Sequence, residues 1–517
     1  MQEVQTNDED TLEGRYGRLE VDRSPYLQRA RENSALTIPQ VFPPEGTKGA
    51  TKLKQLFQSL GAMAVNSLVA KLLLAILPAS QAFFRMDVDE ITKKKLVADP
   101  ASDALMTEGL AKVERTVQKN IQSSTLRAKM AEGLKQVVIG GCALLYIKSP
   151  KEARVYRLDS YVVQLDAIGN LIEIVVKEKV NKLTLTQTVR DACNAQYTRG
   201  KDEEVAVYTG IQLTENGSYK VYQEINKIEV PDSQGSYPAD KLPWLPLRWS
   251  AADGESYSRG YVDQYIGDLT SVEGLSKSIV QAAAAAAKVI FMVKSGRMTS
   301  KRALTNAANG AFIDGDANDV SSLKLDKGAD LNVAANTLKS IEDRLRYAFL
   351  MTSSIQRAGE RVTAEEIRRL ATELEDQLGG IYSILAQTLQ LPLVNVIIAA
   401  MTAAKTLPAL PKGLVSISIT TGLDALGRGQ DADRLTQFKQ DIADIPEAVS
   451  AIRLDTLVSR FAVARGIDTD SLIKTPQEMA QERQQAQMAQ FMQEAGTKMA
   501  PELVKGAMAQ GEAPAAA

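Results

Sequence analysis

Histidine is absent from all 517 residues, and only two cysteines occur, Cys142 and Cys193. Without imidazole there is no Ser-His-Asp triad, no Cys-His pair and no histidine metal site. Two cysteines alone cannot complete a structural zinc site either. Cys142 lies in an apolar run and Cys193 in a short polar stretch, which argues against a disulfide framework and for synthesis in a reducing cytoplasm. An excess of one charge is also missing: 61 Lys and Arg face 63 Asp and Glu, a formal net charge of −2. That balance excludes a protein that coats nucleic acid by neutralising phosphates, though not one past which nucleic acid moves.

Nucleotide-binding loops are missing too. There is no G-x-x-x-x-G-K-[ST] loop, since Gly46-Thr-Lys-Gly49 lacks its spacing, and no G-x-G-x-x-G loop, EF-hand or zinc-ligand cluster. Gly427-Arg-Gly429 reads as a turn before a helix. Acidic clusters at Asp87–Glu90, Asp202–Glu204 and Glu373–Asp376 read as solvated faces, because acid/base or metal chemistry needs convergent geometry. No cofactor is expected. Met1–Asp10 is acidic and polar, unlike a signal peptide. The longest apolar run, Leu60–Leu77, is broken by Asn66 and Lys71. A mid-span charge costs roughly 2.5–3.5 kcal/mol on membrane insertion, so the run is expected to be a buried or interfacial helix of a soluble protein.

What remains is an ordinary globular composition, 44% hydrophobic and 24% charged, long enough for a sizeable core and two to four modules. The expected fold class is mainly α with a β-rich module, an α+β chain. Residues 1–50 carry Pro25, Pro39, Pro43 and Pro44 and read as a partly extended lead-in. Helical spacing follows over Leu53–Leu77, stopped by Pro78, then over Ala104–Leu126 and Lys129–Val138, running into Gly140-Gly141 and a strand-like Ala143–Ile147. Between about 150 and 250 lie two hairpin patterns. Tyr161–Leu165 and Leu171–Lys177 flank Asp166–Asn170, and Val205–Leu213 and Tyr219–Ile225 flank Asn216-Gly217, a pair that supplies positive φ.

From Tyr257 the helical period returns. Tyr265, Leu269, Val272, Ser276, Ile279, Ala283, Ala286 and Ile290 alternate steps of three and four, and Gly296 ends the element. A second helix carries Leu338, Ile341, Leu345 and Phe349. Between them lies a Gly/Asn/Asp/Ser-rich insertion with short apolar pieces at Ala311–Ile313 and Leu323–Leu325, so the two helices are expected to run antiparallel, as a stalk with a tip. Their apolar seams suit either a monomer core or side-by-side packing of subunits. A polar loop, Ser353–Val362, precedes a capping box at Thr363 and Glu366 and a helix to about Ala404, kinked at Gly379-Gly380 and Pro392, then a strand-like Leu414–Thr420. The chain is helical again from Asp431 and low-complexity beyond Pro476. Basic residues mark the stalk and loop: Lys277, Lys288, Arg344 and Arg346, with Arg357 and Arg361 flanking Gly359. They read either as weak phosphate contacts or as salt bridges to Asp268, Glu273, Glu342, Asp343 or Glu360, the latter being the ordinary state of charge on exposed helices.

Several long runs bear a family resemblance: Leu60-Gly-Ala-Met-Ala-Val-Asn66, Tyr156-Arg-Leu-Asp-Ser-Tyr-Val-Val-Gln164, and Asp253-Gly-Glu-Ser-Tyr257 continuing to Asp268-Leu269. The most specific are Gln356-Arg-Ala-Gly-Glu-Arg-Val-Thr-Ala-Glu-Glu-Ile-Arg368, Leu378-Gly-Gly-Ile-Tyr-Ser-Ile-Leu385 and Thr421-Gly-Leu-Asp-Ala-Leu-Gly-Arg-Gly-Gln430. From about Arg18 to Ala480 the chain resembles the portal, or head–tail connector, proteins of T-seven-like short-tailed phages. The resemblance implies a non-enzymatic ring, usually of twelve subunits, at one capsid vertex of the virion. Such a ring passes double-stranded DNA without sequence preference and has no membrane contact.

It also implies a wing over 1–256, stem helices at 257–294 and 332–352 and a clip at 295–331. A tunnel loop at 353–362, a wing helix and strand over 363–430, a crown at 431–480 and a crown tail at 481–517 complete the expected plan. Arg357, Arg361, Lys277, Lys288, Arg344 and Arg346 would face DNA, and Lys294, Arg297, Lys301 and Arg302 would meet terminase or tail proteins. Tyr265, Leu269, Val272, Ile279, Ala283, Ala286, Leu338, Ile341 and Leu345 would pack subunits together. Implied partners are further copies of the chain, the major capsid and scaffolding proteins, the terminase large subunit, tail adaptors and internal core proteins. A tail-adaptor type of ring and a carboxylate-dependent DNA-processing enzyme are the alternatives.

Overall fold

The structure is a computed structural model that describes residues 10–78, 83–88, 100–200, 203–250, 252–287, 290–296, 299–323, 328–351, 373–374, 376–378, 384–408, 415–419, 436–441 and 457–458. In order, its elements are α1 (Leu12–Leu36), α2 (Leu60–Ile76), β1 (Phe84–Val88), α3 (Pro100–Gln122), α4 (Leu126–Gly140), β2 (Cys142–Ser149), β3 (Glu152–Tyr156), β4 (Tyr161–Leu165) and β5 (Leu171–Asn181). They continue with α5 (Gln187–Ala192), β6 (Glu204–Leu213), β7 (Ser218–Ile225), β8 (Ile228–Glu229), β9 (Gly235–Pro238) and β10 (Trp244–Arg248). The last are α6 (Ile266–Ala286), β11 (Ile290–Val293), α7 (Lys301–Thr305), β12 (Val320–Leu323), α8 (Gly328–Ala348), α9 (Leu391–Ala403) and β13 (Val415–Ile419). The chain divides into two compact units. Met1–Ala98 with Gly109–Ala425 holds nearly all of these elements. The other, Asp99–Glu108 with Leu426–Ala517, contributes the opening turns of α3 and a helical stretch at 436–441.

Both expected hairpins are present. β4, β5, β6, β7 and β8 form one antiparallel sheet in that order, with β9 beside β7. Each hairpin turns through a three-residue loop closed by glycine. Asp166 N donates to Asn170 O at 2.9 Å and Thr214 N to Ser218 O at 2.8 Å, with φ of 96° at Gly169 and 74° at Gly217. This is the type I turn plus left-handed glycine geometry, so at the second loop only Gly217 takes positive φ, not the Asn-Gly pair. β10, β2 and β3 form a separate three-stranded sheet, and β1 pairs with β13.

The first part of the lead-in, Leu12–Leu36, is helical, and residues 37–50 form neither helix nor strand. Leu12, Tyr16, Leu19, Arg23, Leu27, Ala30, Asn33 and Ser34 make one buried stripe along α1, whose first turn is capped by the Thr11 side chain. Pro25 stands inside it, on the side carrying the exposed Val21 and Ser24, so the carbonyl it leaves without a partner faces solvent. The stripe is hard to see in sequence because polar Arg23 and Asn33 occupy core positions.

α2 starts at Leu60, seven residues after the expected Leu53, because the preceding amides bond elsewhere. Phe57 N donates to Glu273 Oε2 at 3.0 Å, and the Gln58 side chain bridges Gly61 N (2.8 Å) and Leu36 O (2.9 Å). The helix then runs through the main core, with Leu68, Leu72, Ala75 and Ile76 fully buried. Its C-terminal carbonyls meet side chains instead of water. Gln390 donates to Ile76 O, Arg127 to Leu77 O and Gln118 to Pro78 O. Burial lowers the pKa of Arg127, an effect that the negative end of the helix dipole opposes.

Two long helices bracket the insertion; α6 is shorter than expected, and α8 has the expected length but begins and ends four residues earlier. α6 ends at Ala286, and Ile290–Val293 pairs antiparallel with Val320–Leu323 instead of extending the seam. Ile, Phe and Val suit a strand better than a helix, and the cross-strand pairing satisfies their backbone groups. α8 ends at Ala348 in a Schellman turn: Met351 N donates to Arg346 O at 2.7 Å and Leu350 N to Tyr347 O at 3.0 Å. Just before α9, residues 386–390 widen to a π-helical turn. Pro392 has no N–H to offer Thr388, which accounts for the perturbation expected there. The other expected kink, Gly379-Gly380, lies outside the described residues.

Candidate functional site

The base of the α6/α8 hairpin is built from aromatic rings. Tyr261 lies 5.2 Å from Trp249, 5.2 Å from Tyr265 and 5.1 Å from Phe349, while Tyr265 and Phe349 are 5.4 Å apart, ring centre to ring centre. These spacings are those of favourable edge and tilted pairs. Tyr261 Oη donates to Ala348 O at 2.9 Å, joining the approach to α6 to the end of α8. Above this cluster Leu269, Val272, Ile341 and Leu345 are buried in the chain's own core.

These four were expected among the subunit-packing residues. Within one chain they are already buried. Tyr265, Ile279 and Leu338 are half-buried, and Ala283 and Ala286 are exposed. Exposure therefore grows away from the base. Val280, Phe291, Met292, Leu304, Phe312, Ile313, Val333 and Tyr347 are exposed, Phe312 completely. Eight large apolar side chains between 280 and 347 are thus exposed in the single chain.

The basic residues of the hairpin divide. Arg344 Nη2 on α8 meets Asp268 Oδ1 on α6 at 2.8 Å, and Arg346 Nη2 lies 3.5 Å from Glu342 Oε2 one turn away. Lys277 is exposed on α6, and Lys294, Lys301 and Arg302 are exposed around the insertion. Lys288, Arg297, Arg357 and Arg361 lie outside the described residues. Asn336, Lys339, Ser340, Asp343, Arg344 and Tyr347 line a shallow groove along α8. Its mixture of amide, hydroxyl, phenol and charge of both signs suits weak, reversible polar contacts.

Sequence reasoning took Lys71 only as a break in an apolar run, and missed Glu273 as an anchor. Glu273 is buried on α6 and accepts from the backbone of Phe57, pinning the extended segment before α2 to the hairpin. A charged residue at a helical core position was the one signal for either. Among the described residues no three Cys, Asp or Glu side chains converge to hold a metal ion, and no helix is long and apolar enough to cross a membrane.

The described residues thus hold a sheet-bearing body and a two-helix hairpin with exposed apolar side chains. Residues 9–473 match the family model of the bacteriophage head to tail connecting proteins, and the chain belongs to that family. The portal protein of Escherichia phage T7 is 41% identical over 522 residues, covering 98% of this chain and 96% of that protein. That of Enterobacteria phage T3 is 41% identical over 500 residues (95% and 92%), and that of Enterobacteria phage SP6 31% over 504 (95% and 95%). Among solved structures, a chain from the neck of an empty gene transfer agent particle superposes with a TM-score of 0.36 at 10% identity, over 73% of this chain and 86% of that one.

Proposed function

We propose that this chain is a portal protein, one subunit of a ring at a single capsid vertex through which double-stranded DNA enters during packaging and leaves at ejection. The observation that carries the reading is the 41% identity, over 98% of the chain, to a protein named as a portal. α6 and α8 are then the stem, and the β11–β12 pair with the residues between them the clip that meets terminase during packaging and tail adaptors afterwards. Residues 353–362 are the tunnel loop, the β-sheet body and 363–430 the wing, and 431–480 the crown, with 481–517 as its tail. Twelve copies are expected. The capsid, scaffolding and internal core proteins are the remaining partners.

The chain has no catalytic step in this reading. Its task is to pass DNA without holding it, and the hairpin chemistry favours that. Arg344 and Arg346 are each engaged by a carboxylate of the same chain, which weakens their hold on phosphate. The exposed tip, with Val280, Phe291, Met292 and Val333, supplies the apolar area that neighbouring copies and docking proteins cover. Negative-stain electron microscopy with mass photometry tests the reading. Rings with a channel wide enough for duplex DNA are expected, and a monodisperse monomer or dimer at several salt concentrations overturns it.

A further inference from the structure

We infer that Lys71 is a positioning residue of the conduit. Its single ammonium group ties the end of α8 to Glu373. The inference rests on the portal reading for its purpose, and on the geometry around α2 for its content.

Lys71 is 6% exposed, on a helix whose adjoining residues Leu68, Val69, Leu72 and Ala75 are buried and apolar. Burial lowers its pKa, and the Glu373 carboxylate works against that shift. A lysine persists at such a place when its charge is matched. Here the ammonium donates to the Leu350 carbonyl and lies 4.0 Å from Glu373 Oε1.

Leu350 lies two residues past the end of α8, in the turn that closes it. It takes φ of 58°, the left-handed position of the Schellman turn that glycine usually fills, although its own side chain is buried. Its carbonyl belongs to the negative end of the α8 dipole, where a cation is favoured. One ammonium group thus links a disfavoured helix end to Glu373. The two are distant in sequence, and α2 is far from both. Gln390 adds a second link between the same helix and the later chain, donating to Ile76 O. The stem therefore ends at a set place relative to the core of its own subunit, which a ring needs in order to hold a channel of constant bore.

A lysine that merely fills space makes a different prediction from one that links the two segments. Lys71→Met keeps the length and apolar packing and deletes the charge. Hydrogen–deuterium exchange of the full-length chain separates the two. In Lys71→Met the amides of 349–351 and 376–378 are expected to exchange roughly tenfold faster, while β5, β6 and β7 stay as in the wild type. Lys71→Arg, which keeps the charge, restores part of the protection. Glu373→Gln gives a smaller rise at 376–378 because the Leu350 contact remains. Phage carrying Lys71→Met should form rings but package less DNA. Wild-type exchange at both segments in Lys71→Met overturns the inference, and so does acceleration spread equally over the β-sheet. If that variant does not fold, unchanged exchange at 376–378 in Glu373→Gln overturns it. Failure of the wild-type protein to form rings counts against the portal reading alone, since the exchange result is read within one chain.

Discussion

Gly260 and Gly141 hold the approach to α6 against the end of α4 by backbone contact, and replacing either with alanine should be costly. A Cβ at Gly260 would lie 2.2 Å from Ile139 O and 2.8 Å from Val138 O, contacts that only a backbone shift can relieve. Overpacking of this kind costs about 1–3 kcal/mol, and the upper end applies because the clashing atoms are main chain. Ile139 O also accepts from the buried Asn33 side chain at 3.0 Å, and disturbing that bond adds about 1 kcal/mol. The expected loss for Gly260→Ala is therefore about 3–4 kcal/mol, a factor of roughly 10²–10³ in the unfolding constant. Gly141→Ala should be at least as severe. Its Cβ would sit 2.2 Å from Ser258 O, and its φ of 86° adds about 1–2 kcal/mol for a left-handed alanine. The control has the opposite sign. At Gly274 of α6 a Cβ meets nothing within 4 Å, so Gly274→Ala should stabilise by about 0.5–1 kcal/mol. Urea unfolding of unassembled protein, followed by far-UV circular dichroism, measures all three. Gly260→Ala within about 0.5 kcal/mol of wild type would falsify the close-approach argument.

Burial raises the Glu224 pKa above its ordinary 4.5, against the pull of the Leu12 N–H that it accepts. The folded state then holds this proton more tightly than the unfolded one. Stability should accordingly fall as pH rises from about 4.5 through the folded value, and Glu224→Gln should flatten that slope in urea midpoints taken across pH. Complete burial pushes the Cys142 thiol up to about 12, so iodoacetamide at pH 8 should leave it unmodified in folded protein and alkylate it after denaturation, as read by peptide mass spectrometry. The Arg344–Asp268 pair is solvent-facing. A double-mutant cycle with alanine should give a coupling below about 1 kcal/mol that shrinks with added salt, and a larger, salt-insensitive value would contradict the assignment.

Local chemistry was readable from the sequence, and distant pairing was not. The two hairpins were visible because strand alternation and the glycines at 169 and 217 are decided within a dozen residues. The strand at 415–419 was visible for the same reason. By contrast, the helical seam of α6 continues in register through Ile290, and only the pairing of Ile290–Val293 with Val320–Leu323 ends it. α1 was obscured by Arg23, whose Nη1 finds Tyr16 Oη at 2.7 Å and Tyr161 O at 3.1 Å, the latter 138 residues away. The hairpin charges were half legible, since the carboxylates that engage Arg344 and Arg346 were among those expected. Lys71 was not legible at all, because its carbonyl partner stands 279 residues further along the chain.

The exposed far half of the α6/α8 hairpin makes this protein's stability a matter of mass action. Little of that half is held by its own subunit, so its free energy of folding and that of association are one quantity, written partly in the concentration of protomers. Dilution should then loosen the tip before the body, and the melting midpoint of the tip should climb with total protein while that of the β-sheet stays fixed. In the proposed ring, closure would sharpen the dependence, because the last copy to join covers two tips' worth of apolar surface at once. A chain of this design is least protected when newly made and scarce, and most ordered when the circle is complete.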